Sequence, residues 1–220
     1  MFEYVVDNEF LRRMRQCGGE MMQELCVILK DKYGIGAVPV LVGSTHRKLI
    51  MQNANEPVDL DYNLKIQRCD NFSDCRNIKE SVQKAFNTVL QNHRWKNCED
   101  STSALTAKQY QGWSFCRQDP IFSIDVCIIW VDENGDYNRL IHKKTGYVSN
   151  DEYYWNLGPN AKKFKEKEIA IKQNGYWNWL KDEYCEIKNR YLQKNDHNHP
   201  SFICYIEAIN NTYNAMNHHK

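Results

Sequence analysis

Three aspartates stand where a folding chain gains little from negative charge. Asp59 and Asp61 interrupt the run Val58-Asp59-Leu60-Asp61-Tyr62-Asn63-Leu64-Lys65-Ile66, whose apolar residues alternate so cleanly that it reads as a β-strand. A period of two puts both carboxylates on one face, ~7 Å apart at the backbone. Both can then reach a common pair of divalent ions. Asp125 is the sole charge in the apolar run 121–131, and a carboxylate there carries a large desolvation cost unless a cation or a hydrogen-bond donor compensates it. Two divalent ions roughly 4 Å apart stabilise the attacking and leaving oxygens of an in-line phosphoryl displacement. That is the chemistry three such residues could perform together.

A fourth element fits the same chemistry. Val42-Gly43-Ser44 follows a short apolar run, 38–42. Gly43 removes the side chain where a phosphate must approach the backbone, and Ser44 adds a hydroxyl and an N–H at the start of the following helix, where anions are favoured. Arg47 and Lys48, just beyond, could reach triphosphate oxygens, Arg47 through its fork and Lys48 as a point charge. Each piece has an ordinary reading as well. Gly-Ser is common turn punctuation, Asp-x-Asp suits a solvated strand face, a buried aspartate can be satisfied by Lys or Arg, and exposed basic residues are the norm. Their order along the chain, each at a strand end or face, favours the chemical reading.

The elements that must position these residues follow from periodicity. Asp7 caps a first amphipathic helix carrying Phe10, Met14, Cys17, Met21, Leu25, Ile28 and Leu29, which stops at Tyr33-Gly34. The run 38–42 reads as a short buried strand, 46–57 as a short helix or loop, and the next strand begins at Val58. Ser73 or Asp74 opens a helix with Ile78, Val82, Ala85, Phe86, Val89 and Leu90 inward. Strands are expected at 95–99, 104–110 and 121–131, the last apolar on both faces and therefore central. Asp132-Glu133-Asn134-Gly135 signals a hairpin into a returning strand at 137–142, where the sheet is expected to end. Helices then follow at about 160–173, about 176–194, and from Pro200, the last with Phe202, Tyr205, Ile206, Ile209, Tyr213 and Met216 inward.

Composition bounds the rest. The 220 residues, with 29 Lys+Arg against 28 Asp+Glu and a formal net charge of +1, suit one domain with a helical appendage, here 1–150 and 151–220 packed on it. No apolar run approaches the roughly 20 residues that span a bilayer, so no membrane partner is expected. The first residues lack a basic segment leading into an apolar stretch, which points to the cytoplasm. Nine scattered cysteines without a C-x-x-C pair read as reduced thiols. His197, His199, His218 and His219 are the nearest approach to a zinc site and lack cysteines beside them. The 162–172 lysines read as a solvated face with internal ion pairs, and the aromatics of 153–155 and 176–179 as packing.

The order hydrophobic-Gly43-Ser44, then Asp59-x-Asp61, then Asp125 between hydrophobic residues resembles the DNA polymerase beta type nucleotidyltransferase superfamily. The resemblance spans motifs in 38–131. It implies an α+β fold: a mixed, mostly antiparallel sheet flanked by helices, with a C-terminal helical region. It also implies that Gly43 and Ser44 hold a nucleoside triphosphate, that Asp59 and Asp61 bind two Mg2+ (or Mn2+) ions, and that Asp125 completes the carboxylate triad and helps deprotonate the acceptor hydroxyl. The fourteen residues between Ser44 and Asp59 are slightly more than in compact versions, a departure that falls on 46–57. The implied reaction moves a nucleoside monophosphate, first of all AMP from ATP, onto a hydroxyl of a small molecule or protein and releases pyrophosphate. RNA-end modification is an alternative and needs a basic groove, for which the 162–172 helix and Lys143-Lys144 are candidates. A non-catalytic nucleotide-binding module is the third reading, which three gathered carboxylates disfavour.

Overall fold

The structure is a computed structural model and describes residues 1–54, 56–109, 122–158, 162–196 and 199–218. Expectations that fall on Tyr110, Ile121, His197, His219 and the side chains of Lys162, Lys163 and His218 lie outside the described residues. In chain order the elements are β1 (Phe2–Tyr4), α1 (Asn8–Tyr33), β2 (Gly36–Leu41), α2 (Gly43–Arg47), β3 (Met51–Asn53), β4 (Val58–Arg68), α3 (Cys75–Asn92), β5 (Glu99–Asp100), β6 (Leu105–Lys108), β7 (Phe122–Val131), β8 (Tyr137–Lys143), β9 (Glu152–Leu157), α4 (Lys162–Gln173), α5 (Trp177–Gln193) and α6 (Ser201–His218). They form two compact units, Val5–Ile50 with Asn55–Gly158, and Met1–Tyr4 with Met51–Ala54 and Pro159–Lys220.

The larger unit is a seven-stranded sheet with helices α1 and α3 on its apolar face. Its path runs β2-β4-β7-β6-β5, and β8 pairs with β7 and β9. Only β4 and β7 run parallel; the other pairs are antiparallel. Strand β7 is central, with β4 along one side and β6 then β8 along the other. The alternation of β4 decides which face is buried: Val58, Leu60, Tyr62, Leu64 and Ile66 all turn into the core. There they meet Met14, Met21, Leu25 and Leu29 of α1, Ile78, Val82, Phe86 and Val89 of α3, and Ile124, Val126 and Ile128 of β7. Gly18 lets α1 close on the sheet, since a Cβ there would lie 2.8 Å from Leu60 Cδ1. Asp7 accepts from Phe10 N at the start of α1, and Gly34, at φ +67°, ends it. Asp74 caps α3 through Asn77 N.

Several expectations need correction. Strand β2 is the sheet edge, not a buried strand, and Val38 and Val40 stay 40% and 43% exposed. An apolar run alone does not distinguish two buried faces from one, and Pro39, which lacks an N–H, suits an edge. The expected strand at 95–99 shrinks to Glu99–Asp100, and Trp95 instead packs edge-on against Phe122 at 5.3 Å between centroids. The sheet does not end at β8: β9 adds a strand in which Tyr153 and Trp155 turn inward while Glu152 and Tyr154 face out. The aromatics there are strand packing, with Trp155 Nε1 donating to Phe72 O at 2.7 Å. In the hairpin Gly135 alone takes a positive φ, +81°, and Asp132 accepts from the amides of Asn134 and Asp136. Phe202 faces outward at 44% exposure.

The smaller unit pairs β1 with β3 and packs α4, α5 and α6 around Ile171, Leu180, Tyr184, Ile187, Cys204, Tyr205, Ala208, Ile209 and Met216. Asn189 on α5 closes a two-way amide pair with the Phe2 backbone. The described cysteines are free thiols. Among the described residues no helix is long and apolar enough to cross a membrane.

A buried polar cluster ties α3 to the sheet's far edge. Lys79, 2% exposed, lies 3.1 Å from Asp100 Oδ1, while the His142 ring bridges Asp100 at 2.6 Å and Asp151 at 2.9 Å and stacks on Tyr153. Removing one partner of such a pair leaves an uncompensated buried charge, so Lys79→Met is expected to cost about 3 kcal/mol or more of stability. Urea unfolding of the variant beside the wild type measures it.

Candidate functional site

The candidate residues converge on the sheet face opposite the core of the larger unit. In the parallel pairing of β4 with β7, Asp61 lies directly beside Asp125 and Asp59 beside Ser123. Period two then carries Asp59, Asp61 and Asp125 to one face. Asp59 is exposed, while Asp61 and Asp125 are half-buried, so Asp125 is less enclosed than its apolar strand suggests.

Strand β2 delivers Gly43 to the same place. Val42 N donates to Asp61 O at 2.9 Å, extending the β2–β4 ladder by one bond, and Thr45 Oγ1 donates to Asp59 O at 3.2 Å. Between these bonds Gly43 turns at φ +69°, and a Cβ there would lie 2.0 Å from Asp61 Oδ2. The glycine is therefore required twice, for its backbone and for its emptiness. Ser44 follows in the single turn of α2, whose start no side chain caps. Arg47, half-buried, exerts its charge on Asp61. Lys48 does not join this group: it is exposed and ends α2 in a left-handed conformation at φ 60°.

Electrostatics single out Asp61. Burial, then the charges of Asp125 and Asp59, raise its carboxyl from 3.8 to about 6, against the opposing pull of Arg47 and Arg139. Burial also pushes the Asp125 carboxyl up, opposed by a hydrogen bond from Thr106. Thr106 Oγ1 donates to Asp125 Oδ1 at 2.5 Å, and Ser123 Oγ donates to Asp59 Oδ1. Among the described residues no three His, Cys, Asp or Glu side chains form a group that could hold a metal ion. In kind the donor set still fits a hard divalent cation, because three carboxylates share one face and their mutual repulsion is what such a charge relieves.

Sequence reasoning did not find Thr45, Thr106, Ser123 or Arg139. Ser123 had a signal, since it stands two residues before Asp125 and so shares its face. Thr106 and Arg139 come to the site only through the pairings of β6 and β8 with β7. The lysines considered for a basic groove are partly occupied: Lys143 pairs with Glu152, Lys144 donates to Asp100 O, Lys172 pairs with Glu168, and Lys167 donates to Asn210.

No family model matches the sequence, and no curated protein is detectably similar to it. Solved structures are. CdnC of E. coli MS115-1, in complex with HORMA-deltaN, is 14% identical and aligns over 93% of this chain and 60% of its own, with a TM-score of 0.54. CdnC from the same organism with ATP is 14% identical over 95% of this chain and 67% of its own, at 0.51. CdnE cyclic dinucleotide synthase of Elizabethkingia meningoseptica, with GTP and Apcpp, is 12% identical over 87% and 68%, at 0.50. The chain thus spans 60% of the length of the first of these proteins and about two thirds of the others. At such identities the likeness is one of fold, and with a mixed, mostly antiparallel sheet between helices and Gly43-Ser44 set against Asp61, the chain has the fold of the DNA polymerase beta type nucleotidyltransferases.

Proposed function

We propose that the chain is a metal-dependent nucleotidyltransferase that moves a nucleoside monophosphate, AMP from ATP in the first instance, onto a hydroxyl of a small molecule or a protein and releases pyrophosphate. One observation carries the reading: Asp61 stands beside Asp125 in register, Asp59 shares their face, and the bare backbone of Gly43 packs against the Asp61 carboxylate. Strand pairing alone gives no reason for three like charges to share a face; a cationic ligand does.

In this reading Asp59, Asp61 and Asp125 would hold two Mg2+ (or Mn2+) ions. Bound divalent cations neutralise charge on the triphosphate and on the attacking and leaving oxygens. Gly43 leaves room for the Asp61 carboxylate, and Ser44 offers its hydroxyl and N–H to phosphate beside it. Arg47 supplies a fixed positive charge for the triphosphate. Asp125, whose carboxyl burial pushes up against the hydrogen bond from Thr106, accepts the proton of the acceptor hydroxyl. The catalytic machinery belongs to the larger unit.

A second reading makes the acceptor hydroxyl that of another nucleotide. The likeness to a cyclic dinucleotide synthase favours it. One experiment addresses both: each α-labelled nucleoside triphosphate is incubated with the protein and Mg2+ or Mn2+, alone and with a cell extract. Label from ATP entering a protein or a small-molecule fraction, with pyrophosphate released, is the expected result. A labelled dinucleotide formed without extract supports the second reading, and no transfer from any nucleotide overturns both.

A further inference from the structure

The sheet face that carries the three carboxylates changes sign along its length. Register divides it into rows across the strands, each row two residues or ~7 Å from the next. Asp59 stands beside Ser123, Asp61 beside Asp125, Asn63 beside Cys127, and Lys65 beside Ile129, which also pairs with Arg139 of β8. Period two keeps all of these on the side of Asp61. The acidic rows thus give way to a neutral row and then to one with a cation on each flank of Ile129. Lys65 is half-buried and Arg139 exposed.

No carboxylate pairs with either cation. Their outer register neighbours are Val38 for Lys65 and Asn156 for Arg139, and among the described residues neither makes a hydrogen bond or an ion pair. A solvated strand face ordinarily sets opposite charges across from each other, as Lys143 and Glu152 do on β8 and β9, and like charges brought together destabilise. The Arg139 charge opposes the rise of both the Asp61 carboxyl and the Cys127 thiol, so it acts on this face within reach of the reacting end. Strands one place apart lie ~4.8 Å from each other, which puts the Lys65 and Arg139 backbones ~10 Å apart. Two long side chains can close that span on one phosphate, Arg139 as a fork and Lys65 as a point charge.

Position decides which phosphate. Gly43 packs on Asp61, and α2 continues towards Asp59, whose carbonyl Thr45 bonds. The Gly43-Ser44 turn therefore lies at the acidic end, and the row of Lys65 and Arg139 lies past Asp61 and Asp125 from it. An in-line displacement sets the attacking oxygen opposite the leaving one. With pyrophosphate leaving on the Gly43-Ser44 side, the acceptor stands on the side of Lys65 and Arg139. Resting on the nucleotidyltransferase reading above, we infer that Lys65 and Arg139 form an anion site for the acceptor, which is a hydroxyl compound that also carries a phosphate group.

The test is calorimetric titration of the full chain in Mg2+ with a saturating ATP analogue, its α and β phosphates joined by methylene, so that the donor site is filled. AMP is the phosphate-bearing probe, and adenosine is the same frame without the phosphate. The wild type is expected to bind AMP about tenfold or more tightly than adenosine. Arg139→Gln and Lys65→Gln are each expected to lose about tenfold in AMP affinity with adenosine affinity unchanged, and Lys65→Arg is expected to bind AMP as the wild type does. AMP bound no more tightly than adenosine by the wild type, or wild-type AMP affinity in either glutamine variant, overturns the inference and leaves the functional reading standing. Equal weakening of the ATP analogue in both glutamine variants gives the two cations to the donor triphosphate and overturns the inference as well. A folded wild type that binds neither the analogue nor AMP overturns the functional reading and the inference with it. Circular dichroism checks the fold of each variant, and should Lys65→Gln fail to fold, the exposed Arg139→Gln decides alone.

Discussion

Asp61→Asn is expected to abolish nucleotidyl transfer, by on the order of 10³-fold or more, while making the protein more stable. The two effects have one cause. Burial and the charges of Asp125 and Asp59 raise the Asp61 carboxyl from 3.8 to about 6, and at neutral pH the ionised form therefore costs the folded state about 3 kcal/mol. The sign follows from which state holds the proton more tightly. The native state does, so this group's contribution is most favourable below about 4, declines as pH rises to about 6, and is flat above. An uncharged amide of the same shape removes that dependence. The stability gain of Asp61→Asn should be absent near pH 4 and reach about 2 kcal/mol at pH 7, less than the full penalty because a buried amide is itself polar. Urea unfolding at a series of pH values measures it, and label transfer measures the activity. A variant no more stable than the wild type at pH 7 would mean that the three carboxylates do not repel as their arrangement requires.

Gly43→Ala is the second. The left-handed backbone at φ +69° alone costs a residue with a Cβ about 1–2 kcal/mol, and here the new methyl would lie 2.0 Å from Asp61 Oδ2 and 2.8 Å from its Cγ. Those atoms belong to a short side chain held beside Asp125, so either the carboxylate moves or α2 does. Displacement of a reacting group by about 1 Å can cost 10²-fold, and a loss of at least that size is expected together with a lowered melting temperature. Gly19→Ala is the internal control: nothing lies within 4 Å of a Cβ there, and alanine inside helix α1 is expected to stabilise by about 0.5–1 kcal/mol. Equal activity of Gly43→Ala and wild type would remove Gly43 from the site.

How much was legible in advance varies with the range of the interaction. Caps and periodicity are local, and Asp7, Gly34, Asp74 and the alternation of Val58 to Ile66 specified their elements correctly from neighbours a few residues away. The common face of Asp59 and Asp61 was legible for the same reason. Whether a stretch is a central strand, an edge or outside the sheet is not local: 38–42, expected to be buried, lies at one exposed margin, and 153–155, expected beyond the sheet, belongs to its last strand beside β8. Nor does spacing say that Met1–Tyr4 and Met51–Ala54 pair away from the larger sheet.

By itself the sequence determined the donor set: carboxylates at 59, 61 and 125, a glycine at 43, and a fold able to carry them. Only the tertiary structure decided their meeting. Strand pairing is a long-range choice of register, and it alone set Asp125 beside Asp61 and aimed Ser123 and Thr106 at two of the three carboxylates. A one-residue slip would send every one of those side chains to the opposite face. The register is held by what lies on that other face, because Leu60, Leu64, Ile124 and Val126 can be buried in only one alignment, and the charged site occupies the positions the core leaves over.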